Sequence, residues 1–180
     1  IEFFEAAASD TNTSREIINA ESGEIRGLEI EGLKSLSFLG EWGEAFFFQG
    51  NMTIQDSEIV AGIEADAPTN AKREMSGASQ YVVNAILGYD SLGGAHAATL
   101  SYNVFGPRLF VAGRNGVPDG FEQPFHSVDL TYTWFPNDYM TLKLKLQNLL
   151  DEEIAIEREG VETFSEKPGR LMAASFIWDF

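Results

Sequence analysis

The stretch MTLKLKLQ, residues 140–147, alternates apolar and polar side chains without a break. A period of two residues is the signature of a β-strand, because successive side chains point to opposite faces. The apolar set is Met140, Leu142, Leu144 and Leu146, and the polar set is Thr141, Lys143, Lys145 and Gln147. The stretch therefore predicts a strand with one apolar face and one polar face.

The same alternation recurs along the chain and predicts an all-β protein with antiparallel, up-and-down strands. It is clear in YVVNAILGY (81–89), AATLSYNVF (97–105) and HSVDLTYTW (126–134), and looser in EIRGLEIEG (24–32) and AFFFQGNMTIQ (45–55). IEFFEAAA (1–8) and RLMAASFIWDF (170–180) add a strand at each end. We expect eight strands and no helix.

The connections between these strands alternate in length. DSLGGAH (90–96) and FPND (135–138) have the Gly, Pro, Asn and Asp residues of short turns. Residues 34–43 are interpreted as a turn with a ragged edge, and Pro107 with Arg108 predicts a bulge or kink. Four long polar segments are predicted to be loops: 9–23, 61–77, 114–124 and 151–169. Long loops at one end and short turns at the other are typical of outer-membrane barrels.

Strand length and aromatic residues favour the same class. The best segments have about ten residues, near the 9 to 11 that cross a bilayer at a tilt. Aromatic residues stand where strands run into the short turns, as in an interfacial girdle. They are Tyr89, Trp134, Phe135, Trp178 and Phe180.

Charge and composition exclude other classes. The 180 residues contain 12 Lys and Arg against 28 Asp and Glu, a formal net charge of −16, so we expect no nucleic-acid partner. No cysteine is present, which rules out disulfides and thiolate chemistry. No apolar run reaches about 18 residues, which excludes a transmembrane helix but leaves transmembrane strands open.

Several motifs, in their order and spacing, resemble TonB-dependent outer-membrane receptors over most of the chain. GLEIE (27–31) is similar to a barrel strand of that family, and NAILGYD (84–90) with TLSYNVFGPRLFVAG (99–113) resembles the paired strands that follow its long loops. GVPDGFEQPFHSVDLTYTW (116–134) and LKLQNLLDEE (144–153) are similar to its late strands, and KPGR (167–170) to the Pro-Gly-Arg before its last strand.

The resemblance implies that residues 1–180 are the C-terminal portion of a larger barrel, with about eight of about 22 membrane-spanning strands. The family's N-terminal plug domain and earlier strands have no counterpart in this sequence. It implies import of a scarce nutrient, a siderophore, vitamin or oligosaccharide, with energy transmitted through TonB. The implied partners are outer-membrane lipid, that nutrient, the barrel assembly machinery, and the TonB coupling protein acting on the plug.

The resemblance also explains the aromatic C-terminus. In this family the last strand ends in an aromatic residue with hydrophobic residues two and four places before it, which the barrel assembly machinery reads. Phe180, Trp178 and Phe176 match that signal. The implied location is the outer membrane of a Gram-negative cell, with the C-terminus in the periplasm.

Charged residues on the polar faces are candidates for the lumen of such a barrel. They are Glu29, Glu31, Asp129, Lys143 and Lys145. A hydrated wall is the ordinary role of such residues, and contact with a transported ligand is the functional one.

We expect no catalytic residue, no cofactor and no metal site, and therefore no enzyme. The two histidines, His96 in a predicted turn and His126 at a strand start, are too far apart in sequence to suggest a ligand pair. His126 and Ser127 are adjacent in a strand and point to opposite faces, so they do not form a nucleophile and base pair.

Two alternatives stay open from the sequence. A complete eight-stranded outer-membrane barrel with a structural or adhesive role fits the length, and its narrow interior would require the five charged candidates to pair. A soluble, lipocalin-like carrier fits the alternation, with Leu142, Leu144 and Leu146 lining an inner cavity.

Overall fold

A computed structural model describes residues 2–8, 12–65 and 67–179, and side chains from Ile18 onward. In these residues the chain forms two short 3-10 turns, no α-helix and fourteen strands. The strands are β1 (Glu2–Ala8), β2 (Asn12–Ile18), β3 (Ser22–Ser35), β4 (Phe46–Val60), β5 (Lys72–Arg73), β6 (Tyr81–Asp90), β7 (His96–Phe105), β8 (Arg108–Val111), β9 (Gly120–Glu122), β10 (His126–Asn137), β11 (Met140–Gln147), β12 (Ile154–Arg158), β13 (Val161–Glu166) and β14 (Leu171–Trp178).

The largest sheet is an antiparallel meander in the order β14–β11–β10–β7–β6–β4–β3, and the two-residue β5 pairs with β4. Within the described chain β3 and β14 are its outer edges, and the sheet is not closed into a barrel. A four-stranded sheet has the order β13–β12–β9–β8, and β1 pairs with β2 alone. The predicted all-β, antiparallel class is confirmed.

Seven of the eight strands expected from the sequence lie in the large sheet. The remaining one, β1, pairs with β2 in a separate hairpin, so the expectation that it joins the same wall is wrong. The reason is the segment that follows it: residues 12–18 were interpreted as part of a polar loop, but they form a strand that pairs with β1 along its whole length.

The pairing register gives the large sheet one apolar face. Leu100 on β7 lies opposite Leu130 on β10, and Leu130 lies opposite Leu146 on β11. Because side chains alternate, every second residue on both sides of such a pair shares its face. The large residues of this face include Leu28, Ile30, Phe48, Met52, Ile54, Val83, Leu87, Leu100, Tyr102, Val128, Leu130, Tyr132, Trp134, Leu142, Leu144, Leu146, Met172, Phe176 and Trp178. The same face also carries Lys34, His96 and His126.

The connections at the two ends of the sheet differ as the sequence predicts. Residues 36–45, 91–95 and 138–139 make the short connections at one end. The first contains the two 3-10 turns, Ser37–Leu39 and Glu41–Ala45, where a ragged turn was expected. Residues 61–80, 106–125 and 148–170 make the long connections at the other end.

The long segments connect strands of the large sheet as predicted, but they contain secondary structure of their own. They contain β5, β8, β9, β12 and β13, four of which form a sheet of their own. In the last segment Glu159 and Gly160 both have positive φ, 49° and 78°, as a two-residue hairpin turn requires. The dipeptide Glu-Gly between alternating residues is a sequence signal that could have revealed this hairpin.

The break at Pro107 separates two sheets. Strand β7 ends at Phe105 in the large sheet and β8 begins at Arg108 in the four-stranded sheet. Proline lacks the backbone N–H that would continue the ladder. The chain therefore changes sheets at this position instead of forming a bulge inside one strand.

The few buried residues lie mainly at the end with long connections. The buried apolar residues are Ile18, Ile59, Val104, Leu109, Val111, Ala112 and Ile156. Leu109 is fully buried, at 0% exposure, whereas Leu28 near the middle of β3 is 63% exposed. The large sheet therefore has no core of its own on its apolar face.

We predict that Gly113→Ala destabilises the end with long connections. A Cβ at this position would lie 1.8 Å from the carbonyl oxygen of Val117, so the turn between residues 113 and 117 must open. The expected cost is about 2 kcal/mol or more, with faster proteolysis between residues 106 and 125.

Gly93→Ala is the matched control, because a Cβ there meets nothing within 4 Å. Equal protease resistance of the two variants would contradict the described close approach.

Candidate functional site

A ladder of three asparagines crosses the polar face of the large sheet. Asn51, Asn84 and Asn103 lie directly opposite one another on β4, β6 and β7. Asn84 Nδ2 donates to Asn51 Oδ1 at 2.7 Å, and Asn103 Nδ2 donates to Asn84 Oδ1 at 2.5 Å. Glu31 continues the row on β3, opposite Asn51, and Ser127 continues it on β10, opposite Asn103. The row offers polar groups along one line across five strands.

The five charged residues predicted for the lumen all lie on this polar face, but the structure does not bring them together. Glu29 and Glu31 are on the outer strand β3, whereas Lys143 and Lys145 are on β11. Five strand spacings separate β3 from β11, or roughly 24 Å. None of the five forms an ion pair with another described residue.

Asp129 forms hydrogen bonds to neighbouring residues and no ion pair with a described residue. Its Oδ1 accepts a hydrogen bond from the backbone N–H of Asn148 at 2.9 Å and from the Ser127 hydroxyl at 3.2 Å. Asp129 therefore fixes the point where the last long segment leaves β11.

Asn148 closes the neck of that last segment. It is 7% exposed and has a positive φ of 51°, a conformation that asparagine tolerates better than most residues. Its side chain donates to the carbonyl oxygens of Glu152 at 3.2 Å and Gly169 at 3.0 Å. Its Oδ1 accepts from the Glu152 N–H at 2.9 Å. One side chain thus holds both the start and the end of residues 148–170.

Two of the motifs that carry the family resemblance meet at this neck. Lys167 of KPGR pairs with Asp151 of LKLQNLLDEE, with 3.2 Å between Nζ and Oδ2. Arg170 Nε donates to the carbonyl oxygen of Leu149 at 3.1 Å. The two motifs therefore form one structural unit at the base of the last segment.

An arginine and a glutamate connect β8 with β9 in the second long segment. Arg108 Nε and Nη2 donate to the two carboxylate oxygens of Glu122 at 2.7 and 2.9 Å. The guanidinium carbon also lies 4.0 Å from the centre of the Phe105 ring. A bidentate pair that is also stacked on a ring fixes both partners more firmly than an exposed ion pair does.

Asp119 connects the first and second long segments. It is 8% exposed, and its carboxylate accepts from the Gly113 N–H at 2.6 Å and from Asn70 Nδ2 at 2.8 Å. The third segment joins them, because Arg158 Nη1 donates to the carbonyl oxygen of Pro118 at 2.5 Å. We call residues 61–80, 106–125 and 148–170 together the outer platform.

The sequence does not predict the outer platform as an ordered surface. Its signals were present in NGVPDG (115–120), where Asn, Gly, Pro and Asp favour tight turns, but these residues are equally frequent in open loops. The contacts that order the platform join residues far apart in sequence, such as Asn70 with Asp119. Such pairs cannot be read from local pattern.

Both histidines lie on the apolar face, each hydrogen-bonded to a tyrosine. His96 Nδ1 is 2.7 Å from the Tyr132 hydroxyl, and His126 Nδ1 is 2.9 Å from the Tyr102 hydroxyl. The sequence predicts His96 in a turn, but the residue is the first of β7. Ser127 lies on the opposite face from His126, where it contacts Asp129.

No group of three or more His, Asp or Glu side chains within the described chain could hold a metal ion. The same residues contain no helix with the length and apolar character needed to cross a membrane.

The last strand lies at the outer edge of the sheet with its aromatic residues on the apolar face. Phe176 is opposite Leu142 and Trp178 is opposite Met140, and their exposed fractions are 53% and 63%. Phe180, the final residue of the predicted assembly signal, lies outside the described residues.

Comparison of the chain with protein-family models, with curated proteins and with solved structures finds no match. The resemblance to TonB-dependent receptors rests on the sequence motifs alone and stays a prediction.

We predict that Asn148→Ala loosens the last long segment. The substitution removes three side-chain hydrogen bonds and leaves alanine at a positive φ, so we expect a loss of about 2 to 3 kcal/mol of stability. Urea unfolding measures the loss, and proteolysis between residues 148 and 170 locates it.

Asn19→Ala is the control, since this exposed asparagine has no side-chain hydrogen bond in the described residues. If the two variants unfold at the same urea concentration, Asn148 does not close the segment.

Proposed function

We propose that this chain forms part of the wall, together with outer loops and the C-terminal assembly signal, of an outer-membrane receptor of the TonB-dependent type. The complete receptor imports a scarce nutrient. The observation that supports this proposal best is the continuous apolar face of the large sheet, which no other described element covers.

The exposure of that face favours a bilayer as its neighbour. Ile30 on β3 is 64% exposed and Phe176 on β14 is 53% exposed, while Leu87, Leu100 and Trp134 on strands between them are 39–42% exposed. The leucines of β11 are half-buried. An apolar surface of this extent is unfavourable in water, because the hydrophobic effect costs about 25 cal/mol for each Å² left uncovered. Against hydrocarbon the same surface costs nothing, while the polar face remains hydrated.

The unpaired edges of the large sheet favour a wall segment of a larger barrel. Strand β3 is 14 residues long, and it pairs with β4 on one side only within the described chain. A bilayer offers no hydrogen bonds to an open edge, so membrane-spanning sheets must close. The separate pairing of β1 with β2 makes a complete eight-stranded barrel a poorer fit.

A soluble carrier is also a poorer fit. Its inner cavity would need Leu142, Leu144 and Leu146 to be enclosed, and these leucines belong to the same open face as the exposed Phe176.

The proposed orientation follows from the two ends of the sheet. The short connections and the C-terminus face the periplasm, and the outer platform faces the medium. The nutrient binds to the outer platform and then passes along the hydrated polar face as the coupling protein displaces the plug. No covalent step is involved, so the protein is not an enzyme.

The position of β14 is compatible with recognition by the barrel assembly machinery. An edge strand offers free backbone N–H and C=O groups to a partner strand, and Phe176 and Trp178 add an apolar row along it. In this proposal Phe180 completes the signal.

Leu100→Arg tests the bilayer-facing assignment. Leu100 lies in the middle of the apolar face, so an arginine there would enter hydrocarbon and we expect a loss of about 2 to 4 kcal/mol of stability in phospholipid vesicles. Thr99→Arg, on the neighbouring residue of the polar face, should cost less than about 1 kcal/mol.

Both losses are measured by chemical unfolding of vesicle-inserted protein. Equal losses, or a larger loss for Thr99→Arg, would show that the apolar face does not meet lipid.

Uptake measurements test the receptor role. Cells that lack the protein should fail to accumulate one radiolabelled nutrient, among ferric siderophores, cobalamin and oligosaccharides. We expect uptake to be lost, and to be lost equally when the coupling protein is removed, because the proposed transport requires the energy that the coupling protein transmits. Unchanged uptake of all three nutrient classes would contradict the receptor proposal. It would not affect the proposal that the apolar face meets lipid, which the Leu100→Arg variant tests separately.

A further inference from the structure

A depression lies on the apolar face where three small residues meet across three strands. Gly32 on β3 is opposite Gly50 on β4, and Gly50 is opposite Ala85 on β6. A Cβ placed on Gly32 would meet nothing within 4 Å, so the space above it is open. The result is a groove of about 420 Å³ in a face that is otherwise filled by large side chains.

The walls of the groove are apolar and one end carries a cation. Ile30, Phe48, Met52 and Val83 line its sides. Lys34 borders it two residues beyond Gly32 on the same strand, toward the short connections. The Lys34 side chain is exposed and forms no ion pair with a described residue.

An aromatic cluster lies beside the same end of the sheet. Trp42 and Phe46 are in edge contact, with ring centres 6.2 Å apart, and Phe46 packs against Tyr89 with ring centres 5.0 Å apart. Tryptophan and tyrosine prefer the level of lipid headgroups, where one end of the ring is wet and the other apolar. Lys34 is therefore close to the level at which a headgroup phosphate would lie.

We propose that this groove is a binding site for one anionic phospholipid. An acyl chain lies over Gly32 and against the Phe48 ring, which itself covers Gly50, and the Lys34 ammonium pairs with the phosphate of the headgroup. This proposal rests on the proposed function, because it requires the apolar face to meet a bilayer. The site would belong to the leaflet on the side of the short connections.

The apolar groove and the Lys34 ammonium together favour an anionic phospholipid as the ligand. The apolar walls of the depression suit a flexible hydrocarbon chain, which packs against Ile30, Phe48 and Met52. Because the surrounding bilayer is equally apolar, the chain is held by packing contacts and not by transfer from water. A single lysine near a membrane surface adds about 1 kcal/mol for an anionic headgroup, or about fivefold in affinity. A zwitterionic lipid has the same chains but lacks the net charge that the lysine selects.

The test uses the protein purified from membranes in mild detergent and native mass spectrometry. The probes are dimyristoyl phosphatidylglycerol and dimyristoyl phosphatidylcholine, added separately. We expect one retained phosphatidylglycerol per protein, and about fivefold weaker retention of phosphatidylcholine. Lys34→Gln should abolish the preference between the two lipids, whereas Lys34→Arg should keep it.

Gly32→Leu tests the groove itself. The new side chain fits the open space above Gly32 and keeps the face apolar, so the sheet is undisturbed and only the depression is filled. Retention of phosphatidylglycerol should fall several-fold, because the acyl chain loses its packing contacts over Gly32. Gly32→Ala, which fills less of the groove, should give an intermediate value.

Retention that is unchanged in both Lys34→Gln and Gly32→Leu would overturn the proposal, as would a dimer of the protein in place of a lipid adduct. Loss of retention in Gly32→Leu with unchanged selectivity in Lys34→Gln would overturn the anionic headgroup assignment. Membrane association of the wild-type protein after a urea wash is measured in parallel. If the wild type remains in membranes without a selective adduct, the lipid site fails while the proposed function stands.

Discussion

The structure depends on a cross-strand register that keeps apolar residues opposite apolar residues from β3 to β14. A shift of one residue at any pair would move a whole strand's apolar set to the polar face. The pairs Ile30 with Met52 and Leu100 with Leu130 hold that register at two distant places in the sheet. The register thus creates two faces, an apolar one suited to hydrocarbon and a polar one suited to water.

The two ends of the sheet have different physical character. At one end, connections are short, aromatic residues cluster and little is buried. At the other end, the long segments bury Leu109 and Asp119. Hydrogen bonds from Asn70 Nδ2 to the Asp119 carboxylate and from Arg158 Nη1 to the Pro118 carbonyl oxygen join the segments to one another. An ordered platform above a polar face is the arrangement that a ligand-binding surface needs, since binding groups on loops work best when a rigid scaffold holds them.

The proposed lipid site and the proposed receptor use opposite faces of the same strands. Gly50 opens the groove on the apolar face, and its neighbour Asn51 belongs to the asparagine ladder on the polar face. The alternation of a strand therefore allows lipid contact and ligand passage to be encoded in adjacent residues without conflict. Charged residues on the polar face do not by themselves mark a binding site. Glu29 and Lys143 share that face, but their strands are too far apart for the two side chains to form a site together.

The sequence by itself determined the strand class, seven of the strands in the large sheet, their two faces and the unequal ends, because each depends on a period of two residues or on local turn chemistry. Only the tertiary structure decided that β1 pairs with β2, that the long segments form a second sheet, and that Asn148 joins Glu152 to Gly169. It alone placed Gly32, Gly50 and Ala85 side by side. These features are contacts between residues distant in sequence, and such contacts leave no periodic trace in the chain.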